Sequence, residues 1–530
     1  MSSCILLFYF STLLYMRNSV GKGAVVLIVS GFICKLFGAM FRLPLTNIIG
    51  MEGIGVFQMV MSLYSLTLVF ITGGVTTALA ALVSKARARG QQQKIGGYLR
   101  SSLSITLTAG LVLGLAFLLL ARSISSAQGA PAAYEAYKLL IFLLPLGAMI
   151  GVLRGIIQGY ENMTPTAISQ IIEQIIKFAF GLLFAYYLGK GGVAQGVYGA
   201  FLGITVSEFM AVVYLIFYML RQEKVPYQPQ QGTMKEFVHA ALPLALSGAV
   251  IPLTHAIDSL IIISRLAKAG ITNEVATSLY GLQTGVVGAI LNFPLIISLA
   301  VAMALLPKIS YLSGRQEVEE QRKIISSSFG IMWFFLLPLV VGLMSVSPLI
   351  YPLIYPNVIK GYLEVAIELT IIGGVSVVLS GIMQFMLTLL QAKGFYSFTL
   401  FATALGGAVK VLIVVFMAAV PSINIFAIPI SNISLCIVVC IAALLKLGMI
   451  VKVSGYEILT PLLASFVMFM AVYIFVNSVS LSPLLSLMLA VIIGGAIYLT
   501  LNIPILSGLF KRIFGKYLFR EAENEQDRID

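Results

Sequence analysis

Charged residues are scarce in this chain. Of its 530 residues, 10% are charged and 59% are hydrophobic, and the mean hydropathy is +1.03. A soluble globular protein is about 25% charged, because its surface has to be covered by polar groups. The scarcity therefore excludes a soluble fold and indicates a protein that lies in lipid. The apolar runs, about 20 to 28 residues long and without polar alternation, fit membrane helices and exclude barrel strands.

Histidine and cysteine are scarce as well, at two and four residues. Their spacing is not that of metal ligands, so we expect neither a metal site nor a cofactor. Walker loops, nucleophile elbows and paired carboxylates beside a nucleophile are also absent from the sequence. We therefore expect that the protein is not an enzyme.

Breaks between the apolar runs predict about fourteen transmembrane helices, which we number as spans 1 to 14 in chain order. The fold class expected is an all-α integral membrane protein. Residues 1–16 are interpreted as a mis-called N-terminal extension, because Met16 and the polar, basic residues after it look like a natural start. The expected spans are roughly 22–49, 53–83, 99–122, 136–159, 164–189, 193–220, 237–265, 275–306, 323–346, 362–391, 395–420, 423–447, 458–478 and 481–506.

The excess of basic residues predicts the orientation of the chain. Its net charge is +13, and no soluble domain is predicted that would bind nucleic acid. We interpret the excess by the positive-inside rule, with attraction to an anionic lipid or substrate as the alternative. With both termini in the cytoplasm, the inner loops and tail hold most of the lysines and arginines. The outer side then holds only Arg122, Lys138, Lys190, Arg265, Lys268 and Lys360.

Two stretches, 55–90 and 281–316, resemble each other. Each begins at a glycine and continues as a helix whose first half contains scattered polar residues and whose second half is apolar. Each then ends in a basic loop. The alternative is that any two membrane helices look alike. A true repeat gives two six-helix lobes related by a pseudo-two-fold axis along the membrane normal. We then expect an N-lobe over 17–235, a C-lobe over 236–455, an extra helix pair over 456–508 and a charged cytoplasmic tail over 509–530.

Span 1 carries charged side chains at membrane depth, where each charge is costly and therefore a candidate for function. Lys35 and Arg42 share a stripe with Gly31, Gly38 and Thr46, because steps of three and four residues return to one helix face. Snorkelling to the surface is the alternative for Arg42, whereas Lys35 lies too deep for it. The stripe predicts the wall of a cationic cavity.

Spans 4 to 6 carry further charges. Glu173 can pair with Lys177 or with Arg154. The ion pair either holds two helices together or forms part of a cavity wall. Glu208 sits alone in span 6. A hydrated, net-positive cavity in this lobe would attract an anion such as a phosphate or pyrophosphate.

Asp258 in span 7 and Lys410 in span 11 are the remaining deep charges of the second lobe, and they are partners by elimination. A buried ion pair is one explanation. The alternative is a switch, in which the pair breaks when an ion or a proton binds Asp258.

Four stretches, 35–42, 53–58, 78–86 and 154–174 (RGIIQGYENMTPTAISQIIEQ), resemble the stage V sporulation protein B group. That group belongs to the polysaccharide transporters of the MOP superfamily, alongside MurJ-type lipid II flippases and MATE exporters. The resemblance covers nearly the whole chain. It implies an alternating-access flippase of the bacterial plasma membrane. Its cargo would be an undecaprenyl-pyrophosphate-linked glycan, such as lipid II or a related cell-wall or spore-cortex precursor, moved from the inner to the outer leaflet.

The resemblance also implies a site. In the MurJ type, arginines of the first, second and eighth helices line a central cavity, and Lys35 and Arg42 match the first-helix positions. Span 8 has Gln283 and no arginine, so Arg265 is a candidate substitute. An acidic residue of the seventh helix helps to hold sodium in some members, and Asp258 matches it, with Lys410 replacing the ion. The headgroup-binding residues expected are Lys35, Arg42, Gln58, Arg154, Glu173, Lys177, Arg265 and Gln283, with Asp258 and Lys410 for coupling.

The expected partners are the lipid-linked glycan, membrane lipids, Na⁺ or H⁺ and the cell-wall synthesis machinery, and nucleic acid is not among them. The alternative function is a MATE-like ion-coupled exporter of small cationic compounds. Such an exporter needs acidic groups in its cavity and usually has about twelve helices, so the basic interior favours the flippase. A non-transporting scaffold of the cell-wall machinery is a third class.

Overall fold

The computed structural model describes residues 19–221, 232–314, 317–448, 455–479 and 481–506. Within these ranges the chain is helical and has no strand. The predicted extension 1–16 and tail 509–530 lie outside the described residues. The helices are α1 Ser19–Thr72, α2 Val75–Ala88, α3 Gln92–Ala127, α4 Tyr134–Lys138, α5 Leu140–Gly159, α6 Thr164–Gly189, α7 Val193–Arg221, α8 Thr233–Lys268, α9 Asn273–Gly281, α10 Gly288–Leu291, α11 Leu295–Gly314, α12 Val318–Ile354, α13 Leu363–Ala392, α14 Tyr396–Met417, α15 Ala427–Leu447, α16 Gly455–Ser478 and α17 Pro483–Leu501.

Helices lie over each of the fourteen predicted spans, although some spans share or divide a helix. The described ranges contain 12 helices long and apolar enough to cross a membrane, or 13 when the bent pair Asn273–Leu291 and Leu295–Ala302 counts as one span. The first of them, Val29–Ala88, has 60 residues, about three times the length that a bilayer needs. It turns at Gly50, where φ is 76°, and therefore makes two passes. The predicted membrane helix bundle is confirmed.

Two predicted spans are broken, which the sequence reading missed. Span 2 ends as α1 at Thr72 and resumes as α2 at Val75. At the break, Gly74 has φ 79°, and a Cβ atom there would lie 2.3 Å from the Cβ of Leu244. Span 8 bends by 57° between α10 and α11, where Pro294 lacks the N–H that a continuous helix would use.

The described residues form two compact units. The first lies within Met1–Ala289 and Gly407–Ile428, and the second within Ile290–Gly406 and Pro429–Asp530. This division follows compactness, whereas the expected boundary between 235 and 236 follows the repeat, so that boundary stays a prediction. The charged candidates of the site fall in the first unit.

The second unit has a core of its own, in which α11, α12, α13 and α15 pack around Trp333 and Phe385. The Trp333 indole donates to the carbonyl oxygen of Ile458 over 3.1 Å. The Tyr498 hydroxyl donates to the carbonyl oxygen of Phe334 over 2.7 Å. These two bonds join α16 and α17, the predicted extra pair, to α12.

In the first unit, the second arm of α1 crosses α9 at two glycines. A Cβ atom added at Gly55 would lie 2.1 Å from the carbonyl oxygen of Thr277, and one added at Gly281 would lie 2.4 Å from that of Met51. Only glycine lets two backbones approach so closely. We call this contact the glycine crossing.

The contacts of the glycine crossing are reciprocal. Its two glycines are the residues that open the two similar stretches of sequence. Their carbonyl partners, Met51 and Thr277, each lie four residues before the glycine of their own stretch. Each close contact is therefore equivalent to the other. Beside them Gln58 Nε2 donates to the carbonyl oxygen of Thr284 over 3.3 Å, across the same separation of 226 residues. Reciprocal contacts of this kind mark a two-fold axis between like elements, and they support the predicted repeat.

Replacing Gly281 by alanine tests the crossing. The new methyl group would overlap a carbonyl oxygen at 2.4 Å, and overpacking of this kind costs about 1–3 kcal/mol. We expect a lower thermal unfolding midpoint for the purified protein in detergent. Gly495→Ala is the matched control, because that helical glycine has no atom within 4 Å of the added Cβ. Equal midpoints for the two variants would contradict the crossing.

Candidate functional site

Charged residues of spans 1, 4, 5 and 6 come together in the first unit. We call Arg42, Arg154, Glu173, Lys177 and Glu208 the charge cluster. Arg42, Glu173 and Glu208 act electrostatically on Lys177, and Arg154 and Glu173 act on Glu208. Four helices, α1, α5, α6 and α7, supply the members. The cluster therefore depends on tertiary packing and not on one sequence motif.

Arg154 is the residue that pairs with Glu173. The Nη2 atom of Arg154 lies 3.0 Å from Glu173 Oε2, and its Nε donates to Ser169 Oγ over 2.9 Å. Both side chains are largely buried, with 14% and 22% exposed. Of the two pairings that the sequence allowed, the structure contains this one, which joins α5 to α6.

Lys177 has no carboxylate oxygen within 4 Å among the described residues. Its Nζ lies 5.9 Å from the centroid of the Phe41 ring on α1, which is a cation–π distance. Because Glu173 is already bonded to Arg154, the ammonium group keeps its capacity to bind an anion.

The predicted stripe on the first arm of α1 borders open space. A Cβ atom added at Gly31 or at Gly38 would meet no atom within 4 Å. Arg42 on the same stripe is half-buried, and the backbone of Lys35 is helical, whereas its side chain lies outside the described part of the chain. Ser30 Oγ donates to Gln170 Oε1 over 3.1 Å, so this arm is held against α6.

Glu208 has a partner that sequence reasoning missed. Its side chain is buried, and the Tyr64 hydroxyl on α1 donates to its Oε1. The other oxygen, Oε2, has no hydrogen-bond partner among the described residues. No local pattern in the sequence pointed to Tyr64, because the two residues lie 144 positions apart in apolar runs.

Gln58 and Gln283 lie at the glycine crossing and not in the charge cluster. Residues 282–287 form a π-helical turn, a distortion frequent at functional sites. Gln283 is 8% exposed, and its Oε1 has no partner in the described ranges. The role of Gln283 in binding the headgroup stays a prediction.

Asp258 and Lys410 form the predicted ion pair. Lys410 Nζ lies 2.7 Å from Asp258 Oδ2, and the side chains are 1% and 4% exposed. Asp258 Oδ1 has no hydrogen-bond partner among the residues described. The pair connects α14 with α8, and its role as a switch stays a prediction.

Arg265 lies in the last turn of α8 and is half-buried. Its Nε atom is buried without a hydrogen-bond partner in the described part of the chain. Its role as a substitute for the missing eighth-helix arginine stays a prediction.

A polar contact joins the first turns of α3 and α8. Lys94 Nζ lies 3.2 Å from Glu236 Oε1, and the Tyr98 hydroxyl donates to Oε2. Hydrogen bonds from Tyr98 and then from Lys94 hold the pKa of Glu236 below its ordinary value. The bonds of this carboxylate therefore persist at neutral pH and are lost as the pH falls through its lowered pKa. We call this contact the polar clamp.

Comparisons with known proteins identify the family and the fold. The profile of the polysaccharide biosynthesis protein family matches residues 20–313, which is more than half of the chain. Stage V sporulation protein B of Bacillus subtilis (strain 168) is 28% identical over 313 residues, 57% of this chain and 59% of that protein. Lipid II flippase MurJ of the same strain is 24% identical over 363 residues, 63% of this chain and 65% of that protein. Both alignments cover less than two thirds of the relative's length.

Solved structures share the fold. The lipid II flippase MurJ in an inward closed conformation aligns with a TM-score of 0.68 and 15% identity, covering 91% of this chain and 98% of that chain. An inward-facing multidrug resistance MATE family transporter of the MOP superfamily aligns with a TM-score of 0.64 and 16% identity, covering 79% and 95%. The relatives named by activity are thus flippases and transporters.

Removing one member of the buried pair tests its contribution to stability. Lys410→Met leaves the Asp258 carboxylate unpaired, and breaking a buried pair costs about 3–5 kcal/mol. We expect a strongly lowered unfolding midpoint, and partial recovery when Asp258→Asn is added. Lys138→Met is the control, because Lys138 lies at the same 2.7 Å from Glu135 with 32% of its side chain exposed, where a pair contributes about 0–1 kcal/mol. A double variant no more stable than Lys410→Met would indicate separate roles.

Proposed function

The chain belongs to the polysaccharide biosynthesis protein family, and on this premise we propose that it is a flippase for a lipid-linked glycan. The proposed cargo is an undecaprenyl-pyrophosphate-linked glycan, lipid II or a related precursor of the cell wall or spore cortex. The protein moves it by alternating access from the inner to the outer leaflet of the bacterial plasma membrane. Both termini lie in the cytoplasm, and no covalent reaction is catalysed.

The observation that carries the proposal is the net positive charge of the charge cluster. Arg42, Arg154 and Lys177 face two carboxylates, one of which is bonded to Arg154. Among the described residues, the Lys177 ammonium group lies over the ring of Phe41 and has no carboxylate oxygen within 4 Å. A pyrophosphate is a multivalent anion whose oxygens accept charge-assisted hydrogen bonds, so the cluster is complementary to it.

Open space beside the cluster supports a path for the headgroup. The stripe of Gly31 and Gly38 leaves room beside the α1 backbone, and Lys35 belongs to the same helical stripe. A wall of glycines and cations admits a bulky anion, because it offers positive charge without side chains that fill the volume.

Two closures support alternating access. With the inferred orientation, the glycine crossing lies at the outer end of the first unit, beside the turn at Gly50. The polar clamp of Glu236, Lys94 and Tyr98 lies at the inner end. We assign the crossing to the outer gate and the clamp to the inner gate. Opening each in turn would expose the charge cluster to one leaflet at a time.

The second candidate function is a MATE-like exporter of small cationic compounds, favoured by the shared fold. A cation exporter needs unpaired acidic groups in its cavity. Asp258, which matches the acidic position of the seventh helix in the sequence analysis, is neutralised by Lys410 at 2.7 Å. The internal ammonium takes the place that a coupling cation would occupy, which weighs against this function.

Replacing the stripe cations tests the proposed function. We expect Arg42→Ala and Lys35→Ala each to lower the outer-leaflet accessibility of lipid II by at least about tenfold, because a hydrogen bond to a charged group contributes about 1.5–3 kcal/mol. The assay uses a strain in which this chain is the sole flippase, and immunoblotting of membranes checks the amount of protein.

Arg122→Ala is the matched control, because Arg122 is an exposed arginine at the far end of α3. It should leave accessibility unchanged. Wild-type accessibility in both stripe variants would overturn the anion site. Failure of the wild-type chain itself would overturn lipid II as the cargo.

A further inference from the structure

Glu208 is a buried carboxyl group to which the proposed transport cycle gives no role. It lies in the middle of α7 and is 6% exposed. Its Oε1 accepts a hydrogen bond from Tyr64, whereas Oε2 is shielded and has no partner among the described residues. A Cβ atom added at Gly147 on α5 would lie 3.8 Å from Oε2, so a glycine lines the space beside this oxygen.

A half-satisfied carboxylate at membrane depth is an unstable arrangement. Burying an ionised carboxyl group without full pairing costs several kcal/mol, and such groups usually neutralise instead. A proton on Oε2 removes the charge without needing additional volume. The single hydrogen bond from Tyr64 is compatible with both the charged and the neutral form of Glu208.

The neighbours of Glu208 decide which form is present. The charged and titratable groups that face it are Tyr64 on α1, Arg154 on α5, and Glu173 and Lys177 on α6. The two cations favour the carboxylate, whereas burial and Glu173 favour the neutral acid. An anion bound to Lys177 and Arg154 would offset the cations and add negative charge nearby. Both changes favour protonation of Glu208.

We propose that Glu208 is a proton-binding site whose occupancy is linked to the anionic headgroup. The carboxylate takes one proton from water as the headgroup binds to the charge cluster, and releases it when the headgroup leaves. No bond other than the O–H bond forms or breaks. The inference rests on the proposed function, because it takes the anion site at the charge cluster as given.

The test measures binding of inorganic pyrophosphate to the purified full-length chain in detergent by titration calorimetry between pH 6 and pH 9. At high pH Glu208 remains a carboxylate when pyrophosphate binds, and the repulsion between the two anions weakens binding to the wild-type chain. The Glu208→Gln side chain carries no charge at any pH, so its binding lacks this repulsion. We expect the ratio of the wild-type Kd to the Glu208→Gln Kd to rise by at least about fivefold with pH, the lower end of coupling between protein sites. The titration of pyrophosphate itself is common to both proteins and cancels in the ratio.

Tyr64→Phe provides an independent variant in case Glu208→Gln does not fold. It keeps the carboxyl group and removes the hydroxyl that stabilises its charged form. The loss of pyrophosphate affinity should then move to higher pH than in the wild-type chain, an effect that a purely structural Tyr64 would not produce. Glu364→Gln is the control, because Glu364 is an exposed helical carboxyl group, and its affinities should follow the wild-type values at every pH.

Each alternative outcome has one meaning. A ratio that stays constant with pH, together with an unshifted profile for Tyr64→Phe, overturns the proton site and leaves the proposed function intact. A ratio that follows the Na⁺ concentration instead of pH overturns the proton as the ligand. Absence of pyrophosphate binding by the wild-type chain at every pH contradicts the headgroup site, and with it this linkage.

Discussion

An ionised side chain at membrane depth has to be paired or solvated, and this constraint organises the polar residues of the first unit. Lys410 satisfies it by its contact with Asp258, and that contact joins part of α14 to α8. Arg154 satisfies it with Glu173. Lys177 and Glu208 satisfy it incompletely, with a ring and with one hydroxyl group. Incomplete pairing at membrane depth is destabilising, and an anion at Lys177 or a proton on Glu208 would relieve it.

The two closures differ in physical character. At the glycine crossing the backbones approach closely at Gly55 and Gly281, and the Gln58 side chain adds one hydrogen bond across the contact. The polar clamp depends on Glu236, whose bonds come from Lys94 and Tyr98 and whose pair with Lys94 is partly exposed. Exposed pairs contribute about 0–1 kcal/mol. On the proposed function, a weak pair of this kind lets the inner gate open and close within a transport cycle.

Hydropathy and charge predicted much of this molecule, because lipid imposes simple rules on length and burial. The span positions and the pairing of Asp258 with Lys410 followed from such rules, whereas the repeat was inferred from the likeness of the stretches 55–90 and 281–316. The breaks at Gly74 and Pro294 were missed, since glycine and proline also occur inside continuous membrane helices. The Tyr64–Glu208 contact was missed because a hydroxyl group in an apolar run carries no positional signal. Only packing brings α1 and α7 together.

Cargo selection by this chain depends on side chains and not on the fold. The same architecture, at 15% and 16% identity, serves a lipid II flippase and a multidrug transporter, so the arrangement of helices does not determine the sign of the transported charge. In this chain the buried acid Asp258 has a lysine partner at 2.7 Å, whereas the half-buried base Lys177 has no described carboxylate within 4 Å. Asp258 is thus neutralised by an internal base, whereas Lys177 is not neutralised by an acid at contact distance among the described residues. On the proposed function, this difference between Asp258 and Lys177 favours an anionic cargo over a cationic one.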